Sequence, residues 1–505
     1  MERKKKILIF LLIILLLGLF LRVYRINSSS LWYDEVVYMK VSKNFFNYLP
    51  YYIFYKDGYY KDLLSPLYNQ YTYNNLGIGA PLYHPIENTW IKILGDSEIA
   101  LRSLSVLFAI LSILVIFKLA RYLFNDKIGL LSAFLFAINP YNIFFSQDAT
   151  YYTLVVLLSL LSVFFFFKSL KENKKKHWIF YAIFSSLGIY THYFPIFLIF
   201  FQWIFFILLI KKHKHLIKNF ILSQILIFIL YLPFLPHFYY QNLYASQYFW
   251  LDVFSWFDVP AVLVVFGIGQ TLIRKQSSLY LILPVLFFYF IGFIIPFLIG
   301  LFKKINKKNI FLFLYLFIPI ITPAILSSIS IPMFQWKYVM LASPAFYILI
   351  AKGLANVKKT AYYLFLGIII ILSFLSLIHY YTVPIFQEDW RAATSFIEKN
   401  SKDGDLIIIH SPQVIHPFKY YYEGNLPIKW FPYISFEELN EENIKVTEKN
   451  IDEIDSVIKG YKRVWLIQRF VKGKEEAIPD YLDKKYKRLY FNKFVWVRVY
   501  LYQLD

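Results

Sequence analysis

A polytopic α-helical membrane protein with a small C-terminal α/β domain is the fold class this sequence predicts, and three observations predict it. Of 505 residues, 58% are hydrophobic and only 17% are charged, where soluble globular chains carry about 25%. Apolar runs of a length that crosses about 30 Å of hydrocarbon recur through the first three quarters of the chain. Beyond residue 387 they give way to short helix and strand signals. The net charge of +21 lies wholly before that point: 34 basic and 13 acidic residues precede residue 388, and 19 of each lie from Glu388 to the end. A nucleic-acid binder would concentrate basic residues in its soluble part, so that class is excluded and the excess reads as cytoplasmic loops under the positive-inside rule. With no cysteine, disulfides, Cys-ligated zinc and thiol catalysis are excluded as well.

Taken in order, Glu2-Arg3-Lys4-Lys5-Lys6 precedes an apolar run at 7–21 that ends at Arg22 and Arg25. No small-residue cleavage site follows, so this is expected to be an uncleaved first span that starts inside. Residues 28–98 form a long outer loop. Further spans are expected at 99–120, 128–147, 151–168, 178–192, 193–210, 216–236, 279–302, 309–330, 336–355 and 360–381, about eleven in all. The stretch 259–273 is shorter than the roughly 20 residues a straight span needs and reads as interfacial or re-entrant. This topology puts the basic clusters 3–6, 168–176, 211–218, 303–308 and 358–359 inside, so that inner loops hold 23 basic and 3 acidic residues while the outer side holds 11 and 10. The chain therefore divides into a membrane domain, 1–387, and an extracytoplasmic domain, 388–505. In the latter, 388–400 and 453–459 read as helices, 405–410 and 463–468 as buried strands, and 493–501 as an outer strand.

Few acidic residues lie in the membrane part. Asp34-Glu35 follows Trp32-Tyr33 just beyond the outer end of the first span, and Asp148 lies in the short outer turn after the third. Each has an ordinary reading, a solvated pair beside an aromatic belt residue and a helix N-cap. Together, two carboxylates from different outer loops are able to activate a hydroxyl nucleophile or hold a metal. His192 sits between two apolar runs, where a polar group is expensive, and is either functional or a hydrogen-bonded core histidine. Lys337 begins an expected span at the outer face, as a phosphate partner or a snorkelling lysine.

The order of these features resembles the GT-C membrane glycosyltransferases of the protein O-mannosyltransferase type, a group that includes the aminoarabinose transferase acting on lipid A. Arg22 and Arg25 followed by Trp32-Tyr33-Asp34-Glu35 matches the family's first outer loop. Gly95-Asp96-Ser97-Glu98 with Arg102, Ser146-Gln147-Asp148-Ala149-Thr150-Tyr151-Tyr152, Thr191-His192-Tyr193 and Lys337-Tyr338 through Pro344 echo further motifs, and Asp389-Trp390-Arg391 resembles the start of the outer domain. Four details depart from the pattern. His84 lies in Leu82-Tyr83-His84-Pro85 where the family has His-Pro-Pro, Asp148 replaces Glu, Thr150 replaces Arg, and Lys337 stands where many members have Arg.

The resemblance implies an inverting transferase that moves a sugar, a mannose-like hexose, from a dolichyl- or undecaprenyl-phosphate donor to a hydroxyl acceptor on protein, lipid or glycan at the outer face of the cell membrane. In that reading Asp34 is the base, supported by Glu35 or Asp148; Lys337, Arg102 and Tyr338 bind the donor phosphate; and His192, Tyr193, His84 and Tyr152 line the substrate pocket. Some GT-C enzymes need a divalent ion, Mg or Mn, which Asp34 and Asp148 would hold, whereas the mannosyltransferase branch is thought to manage without one. The alternative from another class is a transporter or flippase of a lipid-linked glycan, which would more naturally show internal repeats and broken midplane helices.

Overall fold

The computed structural model describes residues 2–46, 81–235, 238, 254–270, 279–330, 332–383, 388–410, 414–432, 446, 450–469 and 477–504. The chain forms two compact units, Met1–Ile26 with Gly79–Val383 and Asn27–Ile78 with Pro384–Asp505. The long loop expected at 28–98 is thus divided: its beginning groups with the C-terminal domain, and its end, the helix Tyr83–Leu94, groups with the long apolar helices.

Among the described residues of the first unit, eight helices are long and apolar enough to cross a membrane: Glu2–Val23, Glu98–Leu123, Tyr152–Glu172, Lys214–Phe234, Ile282–Phe302, Lys307–Ile329, Tyr338–Ala355 and Lys359–Thr382. A ninth span is counted if the bent pair Asp126–Ile138 and Pro140–Ser146 is one crossing. Of the about eleven spans expected, those at 178–192 and 193–210 are shorter helices. These segments are the helices Lys175–Thr191 and Pro195–Leu209, of 17 and 15 residues, which at 1.5 Å per residue reach about 26 and 22 Å. Asp258–Ile268 has 11 residues, about 16 Å of helix, half a crossing.

The 60° bend after Ile138 follows from its sequence. Pro140 has no N–H to give to the carbonyl of Phe136. The fully buried Arg22, at the end of the first span, supplies the missing donors, with Nη2 to Phe136 O at 3.3 Å and Nη1 to Ala137 O at 2.8 Å. Asn139 holds the other side: its Oδ1 accepts from the Asn142 N–H at 3.1 Å, and its Nδ2 donates to Phe266 O and Gly267 O at 2.8 and 2.9 Å. A charge that is costly among apolar helices is thereby neutralised by carbonyls the proline has orphaned.

Close packing is sharpest where the segment Ile295–Phe302 meets Ser343–Ala355. A Cβ on Gly300 would lie 1.9 Å from Leu349 O, and one on Gly353 would lie 1.8 Å from Pro296 O, so only glycine fits at either position. Basic side chains gather at one end of this unit. Arg3 and Arg121 both pair with Asp126, at 3.2 and 2.6 Å, and Lys303 Nζ donates to Asn356 O at 2.6 Å.

The second unit holds a five-stranded sheet, β1 Asp405–His410, β2 Ile428–Trp430, β3 Arg463–Gln468, β4 Lys487–Phe494 and β5 Val497–Gln503, in the order β2-β1-β3-β5-β4. β1 runs parallel to β2 and β3, and β5 runs antiparallel to β3 and β4. Every residue of β1 and β3 is buried, as their unbroken apolar runs require of strands covered on both faces. Helix Trp390–Asn400, capped by Asp389 through the Ala392 N–H at 3.1 Å, packs Trp390, Ala393 and Ile397 on one face with Ile407, Ile409 and Trp465. Ile454 and Ile458 pack on the other with Leu406, Ile408, Val464 and Leu466. The outer strand expected at 493–501 is displaced. The chain turns at Trp496, whose φ is 58°, Val497–Gln503 is an inner strand, and the exposed edge is β4 with Lys487, Arg488 and Lys493, charges that protect an edge from further pairing.

Candidate active site

The predicted site residues fall in both units, and each group is built from its own neighbours. In the second unit, Asp34 and Glu35 occupy the first turn of helix Tyr33–Lys43, where the helix dipole favours carboxylates. Glu35 is fully buried and its Oε2 accepts from the Trp32 N–H at 3.1 Å, reaching back to satisfy the backbone donor at the start of its own helix. A carboxylate committed to its own helix end is a poor base, so Asp34 is the stronger candidate of the two. The segment around it is tied to the C-terminal domain: Ser30 Oγ donates to Glu388 O at 2.7 Å, the Leu31 N–H donates to the Tyr421 hydroxyl at 2.5 Å, and Lys40 Nζ meets His416 Nδ1 at 2.8 Å. Burial, with the charges of Lys40 and Lys419, pushes His416 down to about 3, so its neutral ring accepts a hydrogen bond from the lysine.

Beneath this segment Glu388 is buried and ion-paired with Arg469, and its Oε2 accepts from the Trp390 indole N–H at 2.5 Å. Burial holds the Glu388 carboxyl above the usual carboxylate range, against the pull of Arg469 and the indole, and the Asp34 charge adds to the rise. Burial lowers the Arg469 guanidinium while Glu388 and Asp34 oppose that.

In the first unit, Lys337 is half-buried, with Nζ 5.6 Å from the centre of the Tyr152 ring and 5.3 Å from that of Tyr338, within cation–π range. His192 ends helix Lys175–Thr191, where its Nδ1 accepts from the Phe194 N–H at 3.1 Å. Its ring lies 5.3 Å from Tyr151 and 5.0 Å from Tyr338. Tyr338 in turn meets Tyr152 at 6.4 Å and Phe194 at 5.2 Å. Three segments far apart in sequence therefore build one aromatic basket under an ammonium. A ring face competes weakly for N–H donors beside a phosphate oxygen, so such a lysine suits an anionic headgroup.

Asp148 is nearly buried, its Oδ2 accepting from the Thr150 hydroxyl at 3.1 Å, and Ser105 Oγ donates to its carbonyl at 2.7 Å. It is not a cap of the next helix, whose N-cap is Tyr151 without a side-chain bond. Arg102 is fully buried and its Nη1 donates to Ile26 O at 2.8 Å, fastening the end of the first span. His84 is fully buried in helix Tyr83–Leu94, with its ring 6.1 Å from Tyr83. Lys337, Tyr338, Tyr152 and His192 come together. Tyr193 follows His192 with its ring 6.5 Å away. Among the described residues no three His, Asp or Glu side chains meet as a metal site would require. Sequence reasoning missed Tyr151, Phe194, Arg469 and the role of Glu388, none of which carries a local signal.

Helices of this length and order, with an α/β domain, make a fold shared with the solved structures of ArnT and of an archaeal oligosaccharyltransferase. The resemblance read in the sequence holds in the comparisons: residues 79–240 match the family described as dolichyl-phosphate-mannose-protein mannosyltransferase. ArnT from Cupriavidus metallidurans in the apo state matches with a TM-score of 0.59 at 12% identity, over 99% of this chain and 98% of that one. ArnT bound to undecaprenyl phosphate matches at 0.58, 12% and the same coverage. The oligosaccharyltransferase AglB from Archaeoglobus fulgidus, in complex with an inhibitory peptide and a dolichol-phosphate, matches at 0.55 and 13%, over 99% of this chain and 74% of that one. No curated protein sequence matches the chain.

Proposed function

We propose that this protein transfers a sugar, a mannose-like hexose, from a polyprenyl-phosphate donor to a hydroxyl acceptor on protein, lipid or glycan at the outer face of the cell membrane. The observation that carries this reading is the Lys337 ammonium over the Tyr152 and Tyr338 rings, in a fold shared with a protein whose structure holds undecaprenyl phosphate. Lys337 stabilises the phosphate as its negative charge grows, while the basket of Tyr151, Tyr152, His192 and Tyr338 excludes water. Asp34 accepts the proton of the acceptor hydroxyl. The acceptor oxygen bonds to the sugar C1, the C1–O bond to phosphate breaks, and the polyprenyl phosphate leaves with that electron pair, inverting the anomeric centre. The basic end of the first unit, with Arg3, Arg121 and Lys303, is the cytoplasmic end under the positive-inside rule, with the N-terminus there and the C-terminal domain outside.

The test is transfer of radiolabelled sugar from synthetic polyprenyl-phosphate mannose, glucose and aminoarabinose in proteoliposomes. Asp34→Asn is expected to lower kcat by about 10²–10⁴-fold, the range for a lost general base, and Lys337→Ala by about 10²-fold or more, that for a lost electrostatic contact. Movement of the lipid across the bilayer without transfer from any donor would replace the reading with a transporter.

A further inference from the structure

We propose that Lys40, His416 and Lys419 form a binding site in the second unit for a phosphate group, borne by a lipid headgroup or present as the free ion, separate from the donor phosphate assigned to Lys337. Lys40 lies in the last turn of helix Tyr33–Lys43, and His416 and Lys419 lie on helix Ile415–Tyr421. The structure joins residues 376 apart in the chain, with Lys40 Nζ 2.8 Å from His416 Nδ1. At the other end of the pair the Leu31 N–H donates to the Tyr421 hydroxyl at 2.5 Å, so the approach to one helix meets the end of the other and the two run side by side in opposite directions. His416 and Lys419 are three residues apart, which puts them on one helix face with about 5–6 Å between their Cβ atoms. The second ammonium therefore stands beside the first. Lys40 and His416 are half-buried and Lys419 is exposed, so the cluster opens to solvent.

Basic groups meet here with no carboxylate between them: among the described residues no ion pair includes Lys40 or Lys419. Their mutual repulsion is felt, since burial and the charges of Lys419 and Lys43 hold the Lys40 ammonium down to about 8. A lysine near a helix C-terminus is favourable by itself, but the Lys40 ammonium bonds to the histidine and not to a carbonyl of its helix end. Because Nδ1 of the neutral His416 ring accepts from Lys40, its Nε2 carries the proton and is a donor. Lys40 keeps two further N–H donors, and Lys419 has three. The set thus offers donors and two positive charges without an acceptor, which suits neither a metal cation nor a neutral sugar. A carboxylate would balance one ammonium. A phosphate monoester or the free ion brings up to two negative charges and several acceptor oxygens, for which lysine is a suitable point-charge partner.

The experiment is equilibrium binding of radiolabelled inorganic phosphate to the full-length protein in detergent, at neutral pH and constant ionic strength. Native protein is compared with Lys40→Met, Lys419→Gln and the control Lys484→Gln, an exposed lysine on helix Ala477–Lys485, and the unfolding midpoint of each is measured alongside. Saturable binding of one phosphate per chain is expected. Lys40→Met and Lys419→Gln should each raise Kd by about tenfold or more, as for a lost bond to a charged group, and Lys484→Gln should leave it unchanged. Competition then separates the two sources, with a short-chain phosphatidate set against unlabelled phosphate and a short-chain diacylglycerol as the uncharged lipid control. Displacement by phosphatidate at lower concentration than by phosphate assigns the site to a lipid headgroup; equal or weaker displacement assigns it to the free ion. Lys419 is exposed, so Lys419→Gln decides the matter even where Lys40→Met loosens the helix contact. Absence of saturable binding to the native protein, or a Kd that Lys419→Gln leaves within twofold, overturns the site. The assay reads binding and not sugar transfer, so neither result bears on the transferase reading.

Discussion

Gly353→Ala perturbs the tightest helix contact of the membrane unit and leaves the aromatic basket untouched. The added Cβ would sit 1.8 Å from Pro296 O, where ordinary contact begins at 3.4 Å. The two helices must separate by about 1.5 Å, more than the 0.5–1 Å gap that already forfeits a quarter to a half of each van der Waals contact. Phe297, Leu301, Phe346, Leu349 and Ile350 are buried on these two elements. Separation also strains Lys352 Nζ, which donates to Gly300 O at 2.8 Å and to Lys303 O at 3.0 Å, bonds to a charged donor being the stronger kind. The sum is about 3 kcal/mol or more, the upper end of what overpacking costs, or roughly 5 °C in the midpoint of a unit this size. The control is Gly367→Ala, where a Cβ meets nothing within 4 Å and the change from glycine inside a helix is neutral or stabilising by up to ~1 kcal/mol. Thermal unfolding in detergent, followed by intrinsic fluorescence, reads both. A Gly353→Ala midpoint equal to that of Gly367→Ala would refute the close backbone approach and the reasoning built on it.

Truncation after residue 387 is expected to abolish sugar transfer even where the membrane helices still insert, because residues 27–46 lose the Glu388, Tyr421 and His416 partners that order the segment carrying Asp34; retained activity, assayed in proteoliposomes, would contradict this. Asp405→Asn is expected to destabilise the second unit by about 3–5 kcal/mol, since Arg463 pairs with Asp405 at 2.6 Å and would be left with a buried, uncompensated charge. Burial opposes the ionised form of Asp405, but the bonds from Arg463, the Lys402 N–H and the Trp465 indole prevail and hold its carboxyl below the usual range. A carboxylate lowered on folding adds stability above its unfolded value near 4, and this is lost as pH falls below that. Unfolding midpoints for the native protein should therefore drop steeply below about pH 4, with a shallower drop in Asp405→Asn.

The long apolar runs were readable because hydrocarbon tolerates few alternatives to a helix, and 405–410 and 463–468 because strands covered on both faces show unbroken apolar sequence. The break after Ile138 was present in the sequence as Asn139-Pro140, a cap followed by a residue favoured at the first helical position, yet the apolar run across it reads as one span. The inner position of Val497–Gln503 was hidden because its alternation resembles that of an outer strand, and only pairing with two neighbours decides the matter. At the site, Lys337 and Tyr338 were legible as a cation and an aromatic at a helix start. Tyr151 and Phe194 were not, because in a chain that is 21% aromatic no single ring stands out. The Glu388–Arg469 pair spans 81 positions, and each member looks ordinary in its own stretch of sequence.

The bond from Ser30 to Glu388 joins residues 358 apart in the chain, and this ordering has a consequence for biogenesis. At about 5–20 residues per second, the segment bearing Asp34 is made some 20–70 s before its partner exists. Throughout that interval Leu31, Val36, Val37, Met39 and Val41, all buried in the finished protein, have no C-terminal domain to fold with, while the later membrane helices are being made. Assembly of the second unit is thus a late event that waits for the end of synthesis.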